Sequence, residues 1–156
     1  MIKLNIVTIG KHKEAWISEA VDHYRKLLSK YAAVNLKTLP DVKASASLSP
    51  VELKKKQAVV LGKEIADGYI VALADKGRKY DSVQFSRLLE KLQTVSGGRV
   101  VFLIGGAYGL DDTLLDRADL VVSLSPLTFS HQLVRLILLE QLYRGFNLLS
   151  GGSYHK

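Results

Sequence analysis

Tyr154, His155 and Lys156 close the chain and set a phenol, an imidazole and an ammonium in consecutive positions. Groups of these types accept and donate protons or grip an anion. They follow Gly151 and Gly152, which reach positive φ at little cost and can swing the segment behind them. Ahead of the glycines lies a long apolar stretch ending in Leu142-Tyr143-Arg144-Gly145-Phe146. A chain terminus is ordinarily frayed and polar. This one is chemically equipped, hinged and tethered, so delivery into a site weighs equally with a disordered tail.

Two further segments could meet a ligand. Gly105-Gly106-Ala107-Tyr108-Gly109 brings backbone close to whatever lies beside it, or is simply a tight turn. It is not the dinucleotide fingerprint, which opens the first helix with G-x-G-x-x-G, and the chain has no G-K-[ST] phosphate loop. The stretch from Leu124 to His131 is short-side-chained and stiffened by Pro126. It offers backbone N–H and C=O groups to a flat heterocycle, or is a plain β–α connection with Ser130 as N-cap. His131, taken alone, reads as a packed histidine.

Composition bounds the chemistry. The sequence has no cysteine and four histidines, His12, His23, His131 and His155, none at metal-ligand spacing. No metal site is therefore expected. The 156 residues, 47% of them hydrophobic, suit one domain (1–156) with a real core. No apolar run is long enough to span a bilayer and no signal peptide opens the chain. A cytoplasmic location without membrane attachment follows as the expectation. The net charge of +7 favours a polyanionic partner, nucleic acid before membrane.

The periodicity supplies the elements that must position these groups. Alternation marks strands at 3–9 and 34–39, and continuous apolar runs mark strands at 69–73, 100–104 and 120–124. Three-and-four spacing marks helices at 15–31, 82–95 and 130–149, with a short one at 111–117. Ser49-Pro50-Val51-Glu52 announces a capping box for a helix running to about 66. Residues 40–48 read as a mobile loop and 75–79 as a turn. The order β-α-β-α-β-α-β-α-β-α predicts an α/β fold, a parallel sheet with helices on both faces.

The last helix is apolar nearly all round, so part of it needs covering by a partner subunit. Of its polar exceptions, Arg135 and Glu140 read as an interface pair. Arg144 reads as turned towards the tail, to hold a phosphate or the terminal residues.

Four motifs, in order, carry a resemblance. They are Gly105-Gly106-x-x-Gly109-Leu110; Leu124-Ser125-x-Leu127-Thr128-Phe129-x-His131-Gln132-x-x-Arg135; Glu140-Gln141-x-Tyr143-Arg144; and Tyr154-His155-Lys156. With the opening strand, they make the whole chain resemble the RlmH (YbeA-like) family of the SPOUT methyltransferase superfamily. The resemblance implies a Rossmann-like parallel sheet with a C-terminal trefoil knot over approximately 100–156. It also implies a homodimer and S-adenosylmethionine held by Leu73, Gly105, Leu124, Ser125, Pro126, Leu127, Thr128 and Phe129. Family members commonly have proline where this chain has Ser130, which loosens that segment or supplies a hydroxyl cap.

The implied reaction is methylation of N3 of a pseudouridine in 23S rRNA, at the position usually called 1915, on the assembled 70S ribosome. Its chemistry matches the tail. An activated methyl mainly needs in-line placement of its acceptor, and N3 must lose a proton. His155 and Tyr154 are the candidate bases, with Arg144 and Lys156 favouring developing negative charge or gripping phosphate. Lys11, Lys13, Arg25 and Lys26 are the expected RNA contacts, against the plain reading of a solvated helix face. Two other readings stand beside this one: a non-catalytic RNA- or ribosome-binding module of the same fold, and a small α/β enzyme acting on a free nucleotide metabolite.

Overall fold

Apolar residues of the first strand divide by parity. Ile2, Leu4 and Ile6 enter one core, and Val7 and Ile9 enter another. A strand buried on both faces belongs inside a sheet covered on both sides. The computed structural model, which describes residues 1–11, 14–43 and 47–156, has that arrangement. Its elements run β1 (Ile2–Ile9), α1 (Ala15–Leu28), β2 (Ala32–Leu39), α2 (Pro50–Lys63), β3 (Tyr69–Lys79), α3 (Ser82–Leu92), β4 (Arg99–Ile104), α4 (Asp112–Arg117), β5 (Leu120–Ser123) and α5 (His131–Leu149). The strands form one parallel sheet in the order β2-β1-β4-β3-β5.

The two cores follow from the two faces. On one, Val100, Phe102 and Ile104 of β4 meet Ile17 and Val21 of α1, Phe85 and Leu89 of α3, and Leu138, Leu142 and Phe146 of α5. On the other, Val101 and Leu103 meet Ala58 and Leu61 of α2 and Leu114 of α4. The capping box expected at α2 is formed: Ser49 Oγ accepts from Glu52 N, and Glu52 Oε2 accepts from Ser49 N.

Three expectations change. Residues 75–79 are not a turn but the second half of β3. Leu73 pairs with Val122, then Arg78 pairs with Val122 and Lys79 with Ser123, so residues 74–77 bulge between them. Gly77 permits this, because a Cβ there would lie 2.5 Å from the carbonyl carbon of Val122. The helix expected at 15–31 ends at Leu28, which frees Tyr31 to stack on Phe146 with ring centroids 6.0 Å apart. The helix expected to 95 ends at Leu92, since Ser96 (φ 46°), Gly97 (φ 63°) and Gly98 (φ 72°) turn left-handed and break it. Of the expected loop 40–48, residues 44–46 lie outside the described residues, as do His12 and Lys13.

No helix among the described residues is long and apolar enough to cross a membrane. No group of histidine, aspartate or glutamate among them is placed to hold a metal ion.

Candidate active site

Ligands of open α/β sheets bind beyond the carboxyl ends of the strands. Two strands, β4 and β5, end in the two segments singled out above, and β3, which carries Leu73, lies between them in the sheet. At the end of β4 the glycine cluster closes a turn, with Gly109 N donating to Gly106 O at 3.0 Å. Gly105 has no room for a side chain: a Cβ there would lie 2.5 Å from the carbonyl carbon of Gly109 and 2.8 Å from Leu110 N. The cluster forms a tight turn, and its glycines let the chain approach itself. Leu73 is buried at the end of the first half of β3.

After β5 the chain leaves the sheet edge. Ser123 Oγ donates to Ser125 O at 3.1 Å, and Ser125 Oγ accepts from Leu127 N at 2.9 Å, which curls the exit. Leu124, Ser125 and Phe129 are half-buried, whereas Pro126, Leu127 and Thr128 are exposed, Leu127 at 70%. Ser130 caps α5, its hydroxyl accepting from Leu133 N at 3.3 Å. The hydroxyl-cap reading of the serine thus holds. The connection has crossed the ends of β3 and β4 by then, because α5 begins over β1. Arg135 Nη2 donates to Ile9 O at 2.9 Å and also to Gly10 O.

That contact overturns the expected pairing of Arg135 with Glu140. Five positions apart, the two side chains leave a helix in different directions, while positions four apart share a face. Glu140 instead takes Arg144, whose Nε and Nη2 donate to Glu140 Oε1 at 3.0 and 2.5 Å. His131 is half-buried, and its desolvation, reinforced by the Arg135 charge and opposed by Asp41, lowers its pKa below the ordinary histidine value.

The tail is not frayed. It folds back along α5 and α1 through Glu140 and Arg144 and through three side chains not singled out above, Asn147, Tyr24 and Tyr31. Asn147 is the clamp: its carbonyl accepts from Gly152 N at 2.8 Å and its Oδ1 from Tyr154 N at 3.0 Å. Its Nδ2 donates to Tyr31 OH at 3.3 Å. Tyr154 OH donates to Glu140 Oε1 at 3.2 Å and lies 3.2 Å from Tyr24 OH. The Tyr154 ring meets Tyr143 edge-on at 4.8 Å, and the Arg144 guanidinium lies 4.6 Å from its centroid. Arg144 Nη1 donates to His155 Nδ1 at 3.3 Å.

Arg144 is thus turned to the terminal residues, as expected, and joins Glu140, Tyr154 and His155 into one cluster. Lys156 is exposed beyond it. An asparagine near the end of a largely apolar helix was the available signal for Asn147.

Burial, the Tyr24 hydrogen bond and the negative charge of Glu140 all oppose ionisation of Tyr154, and its pKa lies well above the tyrosine value. At neutral pH it is a donor and not a base. Because the folded pKa exceeds the unfolded value of about 10, the docked phenol contributes stability fully below that pH and loses it as pH rises further. In a phenolate absorbance titration, Tyr154→Phe is expected to remove the latest-ionising tyrosine. Removal of an early one would contradict the docked geometry.

One chain does not bring all the expected residues together. From His131 to Arg144 the helix advances roughly 20 Å, so the Arg144–Tyr154–His155 cluster stands far from the connection at 124–130. The expected RNA contacts divide as well. Lys11 is exposed at the carboxyl end of β1. Arg25 and Lys26, in the last turn of α1, line a shallow groove with Met1 and Asp22 at the opposite end of the sheet.

The family model described as "Predicted SPOUT methyltransferase" matches residues 2–155. Two relatives, each named "Ribosomal RNA large subunit methyltransferase H", align over 99% of this chain and 100% of their own length: one from Alkaliphilus oremlandii (40% identical) and one from Listeria monocytogenes (41% identical). Among solved structures, a probable methylase family protein from Haemophilus influenzae superposes with TM-score 0.55 at 12% identity, over 98% of this chain and 70% of that one. A probable methyltransferase from Bordetella pertussis superposes with TM-score 0.54 at 16% identity, over 92% of this chain and 95% of that one. Matched from end to end by the family model and by full-length relatives, the chain belongs to the SPOUT methyltransferase family.

Proposed function

We propose that this methyltransferase is a homodimer that transfers the methyl group of S-adenosylmethionine to N3 of a pseudouridine in 23S rRNA on the 70S ribosome. The observation that carries the reading is the docked tail. It presents an imidazole, a guanidinium and a phenol as one hydrogen-bonded cluster, yet far along α5 from the connection that suits the cofactor. Antiparallel pairing of α5 about a two-fold axis sets each tail against the other chain's 124–130 segment. The half-buried apolar side chains Leu133, Val134, Leu136 and Ile137 supply a surface for that pairing.

The residues fit the cofactor. The exposed residues Pro126, Leu127 and Thr128 lie beyond Leu124, and Leu73 of β3 and Gly105 after β4 follow it in the order of the sheet. Such a wall gives an adenine ring apolar faces and main-chain hydrogen bonds. The 124–130 connection from β5 to α5 is the proposed crossing of the trefoil knot. When bound, S-adenosylmethionine supplies an activated methyl group on a sulfonium.

The chain's own residues then align N3 and take its proton. Arg144 donates to His155 Nδ1, so in the neutral imidazole Nε2 carries the hydrogen and Nδ1 holds the ring's one basic lone pair; that lone pair takes the proton of N3 when N3–H replaces the guanidinium there. Arg144 and Lys156 favour the negative charge that develops on the base. Lys11, on the same end of the sheet as the cofactor wall, contacts rRNA phosphate.

The test is incubation with radiolabelled S-adenosylmethionine and 70S ribosomes unmethylated at the target, followed by mapping of the label. Label on one pseudouridine of the large subunit is expected. Cofactor binding without label moves the substrate elsewhere, and absence of both leaves an RNA-binding module. His155→Ala is expected to slow single-turnover transfer about 100-fold; an unchanged rate removes the base role from this residue.

A further inference from the structure

Arg135 is the largest side chain with no exposure to solvent among the described residues. An apolar side chain of that volume would fill the space without the cost of desolvating a charge. What the guanidinium adds is direction, since its N–H donors are fixed in one plane. The donors on Nη2 go to the carboxyl end of β1, reaching Ile9 O at 2.9 Å and Gly10 O beside it.

Gly10 is left-handed (φ 83°), and its own N–H donates to Leu39 O at 2.8 Å. A Cβ built on it would lie 3.3 Å from His131 Nε2 and 2.7 Å from Asp41 Oδ1. The first residue of α5 and the residue one turn later therefore both bear on Gly10. Arg135 ties the helix start to the end of β1 by hydrogen bonds, and His131 lies beside Gly10 one turn earlier.

Directly ahead of this anchored turn runs the exposed connection through Pro126, Leu127 and Thr128. Its other end is fixed by the serine turn at Ser123 and Ser125. A short connection takes the path that its two anchored ends allow. We propose that Arg135 is a positioning residue: by clamping the first turn of α5 to the carboxyl end of β1, it sets the path of the 124–130 connection and hence the affinity for S-adenosylmethionine. The proposal rests on the cofactor reading above.

The experiment compares wild type, Arg135→Met and Arg135→Lys as dimers in methyl transfer to ribosomes, with amide hydrogen exchange on the free proteins. Arg135→Met is expected to raise KM for S-adenosylmethionine about tenfold or more, because small misplacements of a binding wall are costly. kcat and KM for ribosomes are expected to hold within about threefold. Exchange should quicken at 127–133 and stay as in wild type at 142–149. Arg135→Lys, which keeps a donor, should fall between the two. A folded Met variant with wild-type KM for the cofactor overturns the proposal, as does a loss confined to kcat. If Arg135→Met does not fold, Arg135→Lys decides: a raised KM supports the clamp and a wild-type KM overturns it. Wild-type protein that binds no S-adenosylmethionine defeats the underlying reading instead, and calorimetry on wild type alone separates that case.

Discussion

Arg144→Ala is expected to lower single-turnover methyl transfer to ribosomes by roughly 10²- to 10³-fold, while affinity for S-adenosylmethionine stays within about threefold. The asymmetry follows from where the guanidinium sits. It is tied to Glu140 Oε1 by two donors, donates to His155 Nδ1, and lies over the ring of Tyr154. Removing it leaves Glu140 without its cation, and that carboxylate also receives Tyr154 OH.

The imidazole then loses its orientation and the donor that fixes Nδ1 as its unprotonated nitrogen, so that lone pair is no longer offered reliably to the proton of N3. Backbone bonds to Asn147 still tether the tail, which limits the damage to its last residues. Glu140→Gln keeps an acceptor for Tyr154 and should lose less than Arg144→Ala. Measured on one batch of ribosomes, an Arg144→Ala protein that transfers methyl at the wild-type rate would show that the cluster is structural only. A protein that loses cofactor affinity instead would place Arg144 in the wall of the cofactor site.

Gly105→Ala is expected to destabilise the fold by about 2–3 kcal/mol and to weaken S-adenosylmethionine binding about tenfold or more. The methyl group would arrive 2.5 and 2.6 Å from the carbonyl carbon and oxygen of Gly109 and 2.8 Å from Leu110 N. All of these are backbone atoms, so no side-chain rotation relieves the contact. Either the Gly106–Gly109 turn moves away or β4 shifts at its carboxyl end, and both displace the wall beside Leu73 and Leu124. At this chain length the loss corresponds to roughly 5–10 °C in Tm.

Gly109→Ala is the informative comparison. A Cβ there meets nothing within 4 Å, and only its left-handed φ of 82° resists alanine. That variant should lose about 1 kcal/mol and keep its cofactor affinity. Equal losses for the two variants would contradict the close approach at Gly105.

Much of the architecture was legible in the chain. Parity in Ile2, Leu4 and Ile6, the capping box at Ser49 and Glu52, and the apolar runs of β3, β4 and β5 are local signals. Each reflects a period of burial or a cap that involves residues a few positions apart, which is why the element order came out complete. The misread stretch, 75–79, is the case where a local signal misleads. Asp75, Lys76, Arg78 and Lys79 look like a turn because an exposed strand half has no apolar side to display, and only the fit of Gly77 against Val122 marks it as paired.

The chain's composition and order set which chemistry it carries: an imidazole, a phenol and cations at its end, glycine-rich and short-side-chained segments after β4 and β5, and no cysteine. These are properties of side chains, and folding does not change their kind. Tertiary structure alone decided where that chemistry stands. The tail docks because Asn147, Tyr31 and Tyr24 meet it from another turn and another helix. Arg135 is spent on β1 and not on Glu140 because α5 starts over a strand more than a hundred positions earlier in the chain. The roughly 20 Å between the tail cluster and the 124–130 connection is a helix length, and no motif spacing measures the distance between two surfaces that meet only through packing.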